Sequence, residues 1–222
     1  MKPTRKLPDS FVRYDRFGRN QYKKAVQWLV VLTILVAVPW YILFNWIAKV
    51  LRPDFGTGLR FNPSFKFESI AMMLIIFAIC AVLHELTHVV FLWPGLDERP
   101  RIAVGWVYVR VKIDTWYLPR NRFLVANLAP FCLLTLAGLV ALLIVPETAM
   151  KAMVFGLTVN AAGSTPDLIS SVFASLLPAS SYVTTSGALY IEKRYLEPQG
   201  REGKVEWKWQ PFLERILSRF SQ

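Results

Sequence analysis

Four long apolar stretches decide what this chain can fold into: Ala25–Val50, Glu68–Trp93, Phe123–Val145 and Met150–Leu177. Each meets or exceeds the roughly 20 residues that carry a helix across the hydrocarbon core of a bilayer. A soluble helix of such length would keep a polar face. The pattern therefore predicts four transmembrane helices and excludes a single soluble core. Composition agrees, because only 18% of the 222 residues are charged and 54% are hydrophobic, whereas about a quarter of a soluble domain is charged. The first stretch reads as a retained helix, bent at Pro39, and not as a signal peptide. A charged segment of 24 residues precedes it, its apolar run is too long, and no small-residue cleavage site follows. Cys80 and Cys132 fall inside predicted spans, where a structural disulfide is not expected.

The net charge of +11 is distributed with a pattern. Twenty-one of the 26 Lys and Arg lie in the N-terminal tail, in the loop from Pro94 to Arg122 and in the C-terminal tail. Lys49, Arg52, Arg60, Lys66 and Lys151 make up the other side. The positive-inside rule then places both termini in the cytoplasm. Topology and attraction to anionic headgroups account for the excess charge without nucleic acid.

The chain divides into a basic cytoplasmic tail (1–24), an extra membrane helix (25–50), a three-helix core (68–177) and a cytoplasmic tail (178–222). The first external loop, Leu51–Phe67, carries Pro53, Gly56, Gly58 and Pro63 and should be irregular. Within the core, the loop 94–122 contains Ile102–Ile113, IAVGWVYVRVKI, whose alternation predicts a strand or hairpin at the membrane surface. Trp209, Phe212, Leu213, Ile216, Leu217 and Phe220 recur at helical spacing opposite Lys208, Arg215 and Arg219, which predicts an interfacial amphipathic helix starting near Pro211. The fold class expected is an all-α polytopic membrane protein with these small surface additions.

The second stretch contains His84-Glu85-Leu86-Thr87-His88. Residues four apart share a helix face, so both imidazoles can reach one metal ion, and Glu85 beside them can take a proton from water. That is the logic of the H-E-x-x-H zinc motif. These are the only two histidines in the chain, and they lie within a membrane span, where ionisable groups mark function by default. The alternative is two polar residues tolerated on a helix face.

Setting aside Lys49, Glu68 and Lys151 near span ends, the interior of the four spans contains one further ionisable residue, Asp167. An Asp at mid-membrane costs about 2.5–3.5 kcal/mol on insertion scales and needs a partner. Counted from Trp93 and from Leu177, His84, His88 and Asp167 fall at comparable depth. Two histidines and one aspartate leave the fourth tetrahedral position open, as a catalytic zinc requires. Asn160, Ser164 and Asp167 are spaced at i, i+4 and i+7, and Pro166 interrupts that helix. Cys80 lies one turn before His84 and reads as a packing residue, although a thiol can ligate metal. Asn127 can hydrogen-bond across helices.

A membrane helix with H-E-x-x-H, one intervening helix, then a helix with Asn and a metal-binding Asp resembles the core of the site-2 proteases. The match is closest to the small zincin peptidase membrane family, on His-Glu-Leu-Thr-His, Leu128-Ala129-Pro130 and Asn-x-x-x-Ser-x-x-Asp, across Glu68 to Leu177. The resemblance implies His84, His88 and Asp167 as ligands of one Zn2+ per chain and Glu85 as general base. It implies Asn160 on the scissile carbonyl or its oxyanion, with Ser164 also on the substrate. Many site-2 proteases carry an Asp-Gly pair here, whereas Leu168 follows Asp167.

The function expected is an intramembrane zinc metalloprotease of a prokaryotic cytoplasmic membrane, cleaving a membrane-spanning or membrane-associated protein by zinc-activated water. The alternatives are a non-proteolytic metal-binding scaffold that holds client helices, and a small transporter. Glu85 favours the enzyme, because a pure binder has no use for a carboxylate between its ligands. The Ile102–Ile113 strand offers an edge to which an unwound substrate could add.

Overall fold

A computed structural model describes residues 1–14, 19–53, 67–104, 109–112, 116–184 and 188–193. Five helices dominate these residues: α1 (Arg19–Leu51), α2 (Phe67–Leu92), α3 (Arg120–Leu142), α4 (Glu147–Gly163) and α5 (Thr165–Ser175). The first three contain apolar spans long enough to cross a membrane, at Val31–Leu51, Ile70–Leu92 and Arg120–Leu142. The fourth stretch differs from expectation. It is divided at Ser164 into a 17-residue and an 11-residue helix. The physical cause is Pro166 at the start of α5, which has no N–H to return to the carbonyl four residues earlier. Neither half alone is a span.

The outer surface is apolar. Ile34, Leu35, Val38 and Ile42 on α1, Met72, Leu74, Ile75 and Phe77 on α2, and Val125, Leu136 and Val140 on α3 are all exposed. An apolar surface this continuous marks contact with lipid or another protein, and helices satisfy their backbone groups internally, as lipid demands.

Between the helices lie two buried clusters. One joins Phe44 and Ala48 of α1, Leu142 of α3, and Met150, Val154, Leu157 and Ala161 of α4. The other joins Leu92, Leu96, Trp116, Leu118, Phe123, Ala126, Ala174 and Val183. At the crossing of α3 and α4, a Cβ added to Gly138 would lie 2.5 Å from Leu157 Cδ2. Any side chain at position 138 would force Leu157 to shift. By contrast, Gly163 has no neighbour within 4 Å of such a Cβ.

A four-stranded antiparallel sheet covers one end of the helices. It comprises β1 (Phe11–Tyr14), β4 (Leu118–Pro119), β5 (Tyr182–Val183) and β6 (Leu189–Glu192), in the order β1-β6-β5-β4. Beyond β4, Thr4 exchanges backbone hydrogen bonds with Tyr117 at 2.8 and 3.1 Å. The N-terminal segment therefore pairs at both margins of this sheet and is not only a charged tail. The expected surface hairpin is present as β2 (Arg101–Val104) paired with β3 (Val109–Lys112). Its tip, most of the first external loop and the amphipathic segment from Pro211 lie outside the described residues.

Candidate metal centre

His84, Glu85 and His88 lie in the last third of α2, and Asp167 lies in the first turn of α5. A carboxylate in that position is favoured by the positive end of its helix. The helix break at Ser164 gives α5 its own start, so a helix N-terminus becomes available at the depth of the histidines. Nε2 of His84 is 3.0 Å from Asp167 Oδ2, and Nε2 of His88 is 3.4 Å from the same oxygen. The three ligand atoms all lie within 4.8 Å of one another. The side chains are 12%, 11% and 23% exposed, so the cluster is sheltered yet reachable.

The other ring nitrogens decide what this cluster can hold. Nδ1 of His84 is 3.3 Å from Asn160 Oδ1, and Nδ1 of His88 is 2.9 Å from the Ala126 carbonyl. Both oxygens can only accept, so each Nδ1 carries the proton and donates. In the neutral rings the Nε2 lone pairs then face a carboxylate oxygen. Three electron-pair donors converging in a low-dielectric site suit a cation between them. Ligands about 2.0–2.1 Å from a tetrahedral zinc lie about 3.3 Å from one another, close to the two spacings from Nε2 to Asp167 Oδ2, 3.0 and 3.4 Å. Imidazoles whose second nitrogen is bonded to an amide or a backbone carbonyl are the usual zinc ligands. The residues present therefore fit zinc.

The frame around the cluster is built mainly from α3. Arg122 Nη2 donates to the Leu92 carbonyl at 2.7 Å and also to that of Pro94, closing the end of α2. Arg120 Nη1 donates to the Leu177 carbonyl at 2.5 Å, just beyond α5. Both arginines thus place positive charge against helix C-termini. The Asn127 amide nitrogen lies 2.7 Å from the Asp167 carbonyl, 2.7 Å from Ser170 Oγ and 3.0 Å from Ser171 Oγ. It holds the first turn of α5 against α3. Asn160 Nδ2 donates to the Pro130 carbonyl at 3.4 Å and to Thr135 Oγ1 at 3.3 Å.

The sequence-derived ligands, His84, His88 and Asp167, are thus brought together from α2 and α5. Glu85 is half-buried beside His84. Asn160 and Ser164 are both held by contacts within the protein. Asn160 is 4% exposed and directs its amide at His84 and α3. Ser164 is fully buried and donates to the Asn160 carbonyl at 2.7 Å. Neither presents its side chain to open space. Cys80 stands apart, its thiol 3.7 Å from the Gly156 carbonyl, at the contact of α2 with α4. Sequence reasoning missed Thr135 and the Ala126 carbonyl, and gave Asn127 no part in positioning Asp167. A polar side chain inside an apolar span was the available signal for Thr135 and Asn127.

The model of a family described as "Putative zincin peptidase" matches residues 69–182. The chain belongs to this family. The match runs from the start of α2 into β5 and so encloses every residue of the metal cluster. No curated protein and no solved structure matches the chain. Membership in a zincin family implies zinc and a metallopeptidase activity, in accord with the donor set of His84, His88 and Asp167.

Proposed function

We propose that this chain is an intramembrane zinc metalloprotease, similar in plan to the site-2 proteases, that hydrolyses a peptide bond of a membrane-spanning protein. The observation that carries the reading is the convergence of His84 and His88 Nε2 on Asp167 Oδ2, with Glu85 adjacent on α2.

A membrane setting with four crossings is supported by the sheet. β1 precedes α1, β4 follows α2, and β5 and β6 follow α5, yet all four share one sheet and so one side of the membrane. Returning to that side twice requires an even number of crossings. With α1, α2 and α3 each a span, α4 and α5 together supply the fourth. The same side carries most of the Lys and Arg, which argues for the cytoplasm of a prokaryotic membrane. His88 lies four residues before the end of α2, at about 1.5 Å per residue, so the cut falls near the sheet side.

His84, His88 and Asp167 would hold one zinc per chain. When bound, zinc supplies Lewis acidity, bringing the pKa of a water toward about 7 and polarising a carbonyl. Glu85 takes the proton of the attacking water and hands it to the leaving amine. Asn160 and the Ala126 carbonyl keep both imidazoles turned the right way. The apolar wall of α2 and α3 excludes bulk water, and a substrate helix must unwind locally to offer a carbonyl.

The test has two parts. Detergent-purified wild type should hold about one zinc per chain, lost in His84→Ala and Asp167→Ala; a zinc-free wild type sinks the reading. Glu85→Gln should keep the zinc. Mapping new protein termini in membranes expressing wild type or Glu85→Gln should give intramembrane cuts with the wild type alone. Identical termini in both would leave a metal-binding protein that is not a protease.

A further inference from the structure

The interior of α3 contains a proline, Pro130, four residues after Ala126. Proline has no backbone N–H, so the carbonyl four residues before it loses its helical donor. That carbonyl belongs to Ala126. Within a bilayer no water is at hand to serve it, and Ala126 is only 1% exposed. Its donor comes instead from another helix: Nδ1 of His88 on α2, at 2.9 Å. Every other carbonyl in the middle of a regular helix is already engaged by the residue four places on. A carbonyl freed of its helical donor is open to His88 without competition from an N–H of its own helix.

We propose that Pro130 is a positioning residue of the metal centre: by withholding an N–H it reserves the Ala126 carbonyl for His88 and fixes the tautomer in which His88 ligates through Nε2. The inference rests on the metal-site reading above. The two histidines solve one problem by different means. His84 has a side-chain acceptor, Asn160 Oδ1. His88 has a backbone acceptor created by a proline. Both solutions converge on one stretch of α3, because Asn160 also donates to the carbonyl of Pro130. Pro130 is itself fully buried, so this place is not available to a substrate or to lipid.

Replacing Pro130 with alanine returns an N–H to the Ala126 carbonyl, which then no longer belongs to His88 alone. The experiment measures zinc affinity by chelator competition on full-length detergent-purified protein, beside thermal unfolding of the metal-free form. Pro130→Ala should bind zinc about 10–100-fold more weakly, the usual effect of losing a partner behind a ligand. It should still reach one zinc at saturation. Its metal-free form should unfold at the wild-type temperature or higher, since alanine is the better helix residue. Pro39→Ala, in α1, should leave the affinity unchanged. Wild-type affinity in Pro130→Ala overturns the proposal. So does a parallel fall in affinity and metal-free stability, which a purely structural proline would produce. If Pro130→Ala does not accumulate, ring-nitrogen NMR of the zinc-loaded wild type decides. With two histidines the spectrum is simple: zinc on Nε2 of His88 and a slowly exchanging proton on its Nδ1 supports the proposal, and zinc on Nδ1 overturns it. A wild type that takes up no zinc removes the metal-site reading itself, before any variant is compared.

Discussion

His84 and Asn160 lie 76 positions apart in sequence, yet Nδ1 of the imidazole is 3.3 Å from Oδ1 of the amide. The pair fastens α2 to α4 and turns the ligating nitrogen of His84 toward Asp167. Asn160→Leu keeps the volume and removes the acceptor. Zinc affinity should fall about 10–100-fold, read by chelator competition. Unchanged zinc affinity with loss of peptide hydrolysis would instead assign Asn160 to the substrate.

Asn127 joins α3 to the first turn of α5 through the Asp167 carbonyl and the hydroxyls of Ser170 and Ser171. Asn127→Leu leaves these acceptors in an apolar setting at a cost of about 1–3 kcal/mol. Thermal unfolding in detergent should show the loss. Zinc binding should weaken too, because Asp167 loses its tether; an unaltered melting curve would contradict this role.

Gly138 and Leu157 should behave as a coupled pair. A Cβ at position 138 meets Leu157 Cδ2 at 2.5 Å and Cγ at 3.0 Å, and overpacking of this kind costs about 1–3 kcal/mol. Gly138→Val alone should be destabilised, and adding Leu157→Ala should restore part of the loss. Strictly additive effects in the double variant would show that the two residues do not compete for one space.

Removing residues 1–14 takes away β1 and the Thr4 pairing with Tyr117. The remaining sheet then exposes unpaired groups along β6 and at Tyr117, which are templates for pairing between chains. Size-exclusion chromatography in detergent should show oligomers or aggregate for the shortened chain at concentrations where the full chain runs as a single species. Identical elution profiles would mean that the N-terminal pairing is dispensable.

The candidate metal ligands were legible in the sequence because ionisable residues are rare within long apolar stretches. His84, His88 and Asp167 stand out against an apolar background, and helical rise alone puts them at one depth. The three long helices were legible for the same reason. What the spacing could not give was the identity of each ligand's supporting partner. Asn160 reads as a site residue from its neighbourhood, but whether it faces a substrate or an imidazole depends on the rotation of α4 about its axis. The Ala126 carbonyl has no side chain to advertise it. The sheet was hidden for a different reason. β4 and β5 are two residues each and β1 and β6 four, and pairing between residues so distant in sequence leaves no periodic trace. Pro166 was read correctly as an interruption, although its effect is a new helix start.

The separation of 83 positions between His84 and Asp167 has a consequence for biosynthesis. A ribosome delivers the chain from its N-terminus, so both imidazoles are made long before the carboxylate that joins their cluster. Until α5 follows, the nascent chain owns two ligands of a three-ligand site and grips metal weakly. The three-ligand set is therefore complete only once α5 has followed α2, α3 and α4. A chain interrupted before α5 has both imidazoles but lacks the carboxylate that would close the cluster.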